Sequence, residues 1–577
     1  MIPITTVRGP SRKLRLRSRQ EKSGRMAKIL TSRENPRLSS AVIGVESELK
    51  SMYPARHFGS IVLALLLTQA IAFAEKKAQP SKSEPTKLAR EIDAILVDPD
   101  PARGIWGIDV VSLDSGKTLY ALNQDKLFTP ASNAKLFTTA AVLGLIGPSY
   151  RFKTTVESSG SFDKYGRLDS DLVLVGRGDP NLSGRSLPYN VRTERKVPPI
   201  QVLQDLADQL VQKGLKFVDG DVVADDSYYV FERYGAGWSQ DDLVWEWGAP
   251  VSALSINDNV IFVNVLPADH PGERAFLNVN PFPGYYHIEN RVLTTPQGTG
   301  PRKIYINREP GSNQLTIWGN IPLDDPGAGE ALAIEDPADF TARLFRDLLE
   351  QRGVVIYGRP RTRHTELASI QTFSVTAVAS GGGGDTAGRV NPAPLVLASY
   401  ESQPVLEDLR VINKVSQNLH AELMLRLLGK EKGTAGSIQG GLEVLRGFLT
   451  SAGLNPDDFA FYDGSGLSRE DLVTPQAVVQ LLVYVHKQSW GALFEDTLPV
   501  AGVDGSLADR FKNTRLQGVL RGKTGSLTHV NSLSGYATTK SGDHVAFCIV
   551  VNNHGMPTKK ALDTVDRVLL KIVEDGN

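Results

Sequence analysis

Apolar positions recur at helical spacing at Leu88, Ile92, Ile95 and Leu96, then change to near-continuous runs in GIWGIDVVSL and KTLYALN. The first pattern predicts an amphipathic helix, the second two strands joined at the turn Asp114-Ser115-Gly116. TPASNAKLFTTAAVL follows at once and reads as a buried helix with a polar Ser-Asn-Ala-Lys step, opened by Pro130, at its head. From about 165 to 363 the texture changes to short alternating strands such as DLVLVG, GDVVADD, NVIFVNVLP, KIYIN and QLTIWGN, with helical patches near 200–213 and 340–352. The SGGGGD run at 380–385 predicts a linker or loop tip. Beyond it come helices around 405–428, 438–452 and 475–486. RGKTGSL, NSLSGYATTK and HVAFCIVVNN then read as a strand meander, and 559–573 as a final amphipathic helix.

The simplest fold for this order is α+β: the early hairpin and the late meander in one five-stranded antiparallel sheet, with helices on both faces. The β-rich stretch then interrupts that domain. The expected organisation is 75–160 as its first part, 161–385 as one or more inserted β-rich domains, and 386–577 as its second part. A chain of 577 residues exceeds what a single core serves, at about 150 residues per domain.

The apolar run IVLALLLTQAIAF at 61–73 is shorter than the ~20 residues a membrane span needs. Arg56 and His57 precede it and Ala72-Phe73-Ala74 closes it, so 52–74 reads as a secretory signal cut after Ala74, with an uncleaved anchor as the alternative. Residues 1–51, rich in Arg, Ser and Lys, read as a disordered leader or an over-extended start, with Met52 as the natural first residue. Export through the signal predicts a periplasmic location. The last helix is expected to pack on the meander, leaving at most peripheral membrane contact.

Charge changes the picture by exclusion. Lys and Arg number 64 and so do Asp and Glu, so no global field points to nucleic acid or an anionic surface. Cys548 is the only cysteine, which precludes an internal disulfide, and within HVAFCIVVNN it reads as a buried strand thiol.

Ser132 and Lys135 are spaced i, i+3, so they share a helix face and can touch. Serine is a poor nucleophile until a base takes its proton, and Ser-Lys is an established pairing for that work. S-x-x-K alone is weak evidence, since Ser47-Glu48-Leu49-Lys50 matches it too. Two further pieces give it weight: Ser416-Gln417-Asn418 at the start of an apolar-periodic helix, and Lys523-Thr524-Gly525 on a predicted strand. The ordered set S-x-x-K, S-x-N, K-T-G is the combination of penicillin-binding proteins and class A β-lactamases. GKTG as a phosphate loop fails on spacing, because only three residues separate Gly518 and Gly522 and a strand rather than a helix follows. No G-x-S-x-G elbow and no H-E-x-x-H helix is present, and His420, His529, His544 and His554 lack ligand spacing. Neither a metal nor a cofactor is called for.

On these residues the chain resembles the class C low-molecular-mass penicillin-binding proteins, the D-alanyl-D-alanine carboxypeptidase/endopeptidase family of the penicillin-binding protein 4 type. YDGSGLSRE, LVGRGDP, GAPVSALSINDN and LPVAGVDGSL look like that family's phrases, and the likeness runs from about Lys87 to the C-terminus. Gln417 stands where Asp is frequent, and its side chain is expected to point away from the site. Asp463 and Ser465 are expected to form a turn without a catalytic role.

The resemblance implies a penicillin-binding/β-lactamase-like transpeptidase domain and a serine enzyme acting on peptidoglycan peptides, with β-lactams as covalent inhibitors. Ser132 would be the nucleophile and Lys135 its base. Ser416 would pass the proton to the leaving amine and Asn418 would hold Lys135 and the substrate amide. Lys523 and Thr524 would bind the terminal carboxylate, and Gly525 would let the substrate backbone approach. The N–H groups of Ser132 and Ser526 would form the oxyanion hole. A neutral lysine near pH 7 costs roughly 4 kcal/mol against a reference pKa of about 10.4. Desolvation and the like charge of Lys523 are expected to supply it, because a helix N-terminus gives only about 0.3–2 kcal/mol. A β-lactamase, and a non-catalytic peptidoglycan-binding scaffold, are the rival readings.

Overall fold

The computed structural model describes residues 86–183, 185, 199–370 and 393–575. The proposed leader and signal, and the SGGGGD run, lie outside the described residues. Among the described residues no helix is long and apolar enough to cross a membrane.

The hairpin and the meander meet as expected. Five antiparallel strands run in the order Arg521–Leu527, Val530–Thr538, His544–Asn552, Ile105–Ser112, Thr118–Leu122. HVAFCIVVNN is apolar throughout because its strand is covered on both faces. Val545, Phe547, Ile549 and Val551 pack with Ile92, Val565 and Leu569 of the helices Lys87–Leu96 and Thr558–Asp575. The alternate residues Ala546 and Cys548 pack with the helices Ala134–Leu145, Asn418–Lys432 and Pro475–His486. Burial pushes the Cys548 thiol up to about 12, which fits a packing residue.

A second five-stranded sheet is mixed. Its order is Pro360–Thr365, Val222–Val230, Leu172–Val175, Lys153–Ser158, Leu395–Glu401. The first three strands run parallel and the last two join antiparallel. Helices Gln201–Gln212 and Pro337–Glu350 close its core through Leu203, Leu206, Phe345 and Leu348. Three three-stranded sheets accompany it among the described residues, centred on Val260–Leu266, Gln314–Pro322 and Phe217–Val218. Lys153–Ser158 and Leu395–Glu401 flank the 161–385 span and pair with each other, so the two crossings between the main sheet and this region run side by side.

Two local features set the site. Ser132 lies in a 3₁₀ turn, Ala131–Asn133, that runs into the helix Ala134–Leu145. Every residue from Ala134 to Leu143 is buried, as the unbroken apolar pattern requires. The predicted helical stretch at 405–428 is two helices, Val405–Lys414 and Asn418–Lys432, broken at Ser416, whose φ is +64°. A left-handed serine is a strained choice that the surrounding contacts must hold.

Candidate active site

The helix that follows Ser132 buries Lys135 completely. Lys135 Nζ donates to Ser132 Oγ at 2.9 Å, to Asn418 Oδ1 at 2.6 Å and to the main-chain oxygen of Ser465 at 2.5 Å. Burial drives its pKa down to about 7, against the opposing pull of Asp463, Glu422 and Asp471. Asn418 is the first residue of its helix, and its Nδ2 donates to the Trp247 carbonyl at 2.8 Å.

Lys523 is likewise buried. Its Nζ donates to Ser416 Oγ at 2.8 Å and to the Thr524 carbonyl at 2.7 Å. Burial, and then the charge of Lys135, hold its amine well below the usual lysine range. A like-charge interaction is mutual, so Lys135 and Lys523 each disfavour the other's ammonium, with burial the largest cause at both.

The three motifs therefore converge, although 283 positions separate Lys135 from Asn418 and 107 separate Ser416 from Lys523. Thr524 Oγ1 donates to Ser506 Oγ at 2.7 Å, and Ser526 Oγ accepts from Asn531 Nδ2 at 2.9 Å. Ser526 is exposed on the strand Arg521–Leu527, which forms one edge of the main sheet. A cavity of about 480 Å³ opens over Ser416, Asn418 and Ser506, walled by Trp247 and Arg185.

Gly525 has a more specific reason than close approach of a substrate. A Cβ there would lie 2.3 Å from Ser532 Oγ, 2.8 Å from the Pro130 oxygen and 3.1 Å from Ser132 N. The glycine lets the Ser132 turn sit directly against the strand, where Ser532 Oγ holds the Pro130 oxygen at 2.8 Å and Asn133 Nδ2 reaches Ser534 Oγ at 2.6 Å.

Gln417 caps its helix, accepting from Leu419 N at 2.9 Å, and donates to Asp258 Oδ2 at 3.2 Å. The same carboxylate pairs with Arg185 at 2.5 Å.

Sequence reasoning missed the contribution of the 463–468 turn. Asp463 and Ser465 do form a turn, but it delivers the Ser465 oxygen to Lys135. Gly466 (φ +78°) makes this possible, since a Cβ there would lie 1.9 Å from the Ala131 oxygen. A main-chain acceptor leaves no mark in a side-chain pattern, although the phrase YDGSGLSRE was visible.

The model of the D-Ala-D-Ala carboxypeptidase 3 (S13) family matches residues 88–376 and 385–571. The chain belongs to that family. Within its reach lie the S-x-x-K, S-x-N and K-T-G motifs of this chain. A D-alanyl-D-alanine carboxypeptidase of Actinomadura sp. (strain R39) is 32% identical over 532 residues, covering 90% of this chain and 91% of that protein. The D-alanyl-D-alanine carboxypeptidase DacB of Haemophilus influenzae is 24% identical over 78% of this chain and 85% of its own length. The crystal structure of penicillin binding protein 4 (dacB) from Haemophilus influenzae superposes with a TM-score of 0.69 at 23% identity, covering 83% of this chain and 98% of that one. That likeness shows the shared S13 fold.

Proposed function

We propose that the chain is a serine-type D-Ala-D-Ala carboxypeptidase and/or DD-endopeptidase of peptidoglycan stem peptides, working through an acyl-enzyme on Ser132 and acylated there by β-lactams. The supporting observation is the contact of a wholly buried Lys135 amine with Ser132 Oγ at 2.9 Å.

Ser132 Oγ attacks the carbonyl carbon between the two D-alanines while its proton passes to neutral Lys135. The C–N bond then breaks, and Ser416 passes the proton held by Lys135 on to the leaving amine, which leaves Lys135 neutral again. Water attacks the acyl-enzyme in turn, giving a proton to Lys135, and that proton returns to Ser132 Oγ as the ester bond breaks. Lys523 and Thr524 receive the terminal carboxylate, and the substrate lies along the edge strand 521–527. The main-chain N–H groups of Ser132 and Ser526 serve the oxyanion. We also assign the chain to the periplasm, exported by the 52–74 signal, and read the second sheet and its neighbours as the inserted region.

Incubation with defined muropeptides, read by mass, tests this reading. Loss of one D-alanine or cleavage of a cross-link supports it. Many turnovers of a chromogenic cephalosporin with intact muropeptides would favour the β-lactamase reading, and no mass gain with penicillin the scaffold reading.

A further inference from the structure

Of the three oxygen neighbours of Lys135 Nζ, two only accept: Asn418 Oδ1 at 2.6 Å and the Ser465 carbonyl at 2.5 Å. The third, Ser132 Oγ, both accepts and donates. A neutral amine has two N–H bonds and one lone pair. With both hydrogens committed to the two carbonyl-type oxygens, the lone pair is left for the Ser132 hydroxyl. The Ser465 carbonyl is thus half of the device that aims the amine.

That carbonyl owes its place to Asp463. Asp463 Oδ1 accepts from Ser465 N at 3.0 Å and Gly466 N at 2.6 Å, and Oδ2 accepts from Ser468 N at 2.7 Å. Oδ2 also accepts from Trp238 Nε1 at 2.9 Å, across 225 positions of sequence. Trp238 belongs to the stretch between the first and second motifs, and that stretch is seated tightly on the turn. A Cβ on Gly237 would lie 2.5 Å from Ser468 Oγ, one on Gly235 would lie 3.2 Å from Asp463 Cβ, and the Gly237 oxygen accepts from Arg469 N at 3.1 Å.

We propose that Asp463 and Trp238 are positioning residues for the acylation step: through the 463–468 turn they hold the Ser465 carbonyl on Lys135 and keep the amine's lone pair on Ser132. The inference rests on Lys135 being the base. It also gives the segment between the motifs a part in the chemistry, reached through one indole N–H.

The groups facing Lys135 set the sign of the test. Asp463, Glu422 and Asp471 favour its ammonium, Arg426 neutralises Glu422 at 2.9 Å, and Lys523 stands on the neighbouring strand. Releasing the Ser465 carbonyl removes an acceptor for the ammonium, and amidation of Asp463 also removes a negative charge. Both changes favour the neutral amine, whereas the misaimed lone pair slows the reaction.

The experiment is acylation of the full-length protein by penicillin, followed by intact mass from pH 5 to 9, with saturation separating the rate constant from affinity. Trp238→Phe, which keeps the ring and drops the N–H, is expected to lower the plateau rate about tenfold, as a small misplacement of a catalytic group does. It should also shift the acidic limb to lower pH and leave penicillin affinity within about twofold. Asp463→Asn is the second variant, with the same direction of shift expected. A wild-type plateau and limb in Trp238→Phe, or a loss confined to affinity, overturns the proposal, and so does an unmoved limb in Asp463→Asn. Lys135→Ala acylating at the wild-type rate would instead defeat the reading of Lys135 as base.

Discussion

Lys523 Nζ lies 2.8 Å from Ser416 Oγ, so the lysine of the last motif is bound to the serine of the second, and both of its hydrogen-bond partners are oxygens of a buried pocket rather than a carboxylate. With its amine held well below the ordinary lysine range, Lys523 meets an incoming carboxylate with its ammonium disfavoured. The carboxylate then favours the ammonium, so binding draws a proton from solvent. Calorimetric titration of the Ser132→Ala protein with a D-Ala-D-Ala peptide from pH 6 to 10, in two buffers of different ionisation heat, should show net proton uptake on binding. Zero uptake across that range would contradict a depressed Lys523 amine.

Gly525→Ala should slow acylation by roughly 10- to 100-fold. The added methyl meets Ser532 Oγ and the Pro130 oxygen, so the Ser132 turn must retreat from the strand by a distance that costs about this much. Near-wild-type acylation of this variant by penicillin would show that the turn has slack the geometry denies.

Asp179 is fully buried, and burial raises its carboxyl to about 7 from an ordinary 3.8. Its Oδ2 has no hydrogen-bond partner. Between those values the folded state keeps a proton that the unfolded state releases. This group's contribution is therefore fully present below about pH 4, falls as pH rises to 7 and is flat above, at about 1.4 kcal/mol per unit. Asp179→Asn should raise Tm at pH 8 relative to wild type and flatten the decline between pH 5 and 8. Part of the slope remains through Asp408, which burial and Asp179 also raise. Identical slopes for both proteins would contradict the assignment.

Much of this was legible in the sequence because periodicity reports burial. The continuous apolar run around Cys548 predicted a strand covered on both faces, and the unbroken run after Ser132 predicted a buried helix. The three motifs were legible as side chains at fixed spacing. What escaped was carried by the main chain or by distance. The Ser465 oxygen has no residue-type signature, and Trp238 reaches Asp463 only after folding. The packing need at Gly525, where a Cβ would meet Ser532 and Pro130, also leaves no mark in the sequence. Spacing also could not show that three carboxyl groups, Asp463, Glu422 and Asp471, act on the Lys135 amine and oppose the effect of its burial.

The most direct test is the rate of penicillin acylation of the wild-type protein against pH, with Ser132→Ala as the blank. Lys135 titrating at about 7 requires the rate to climb tenfold per unit below pH 7 and to level above it, with no mass gained by Ser132→Ala. A rate constant from pH 5 to 9, or penicillin bound covalently to Ser132→Ala, would contradict a neutral buried lysine activating that serine.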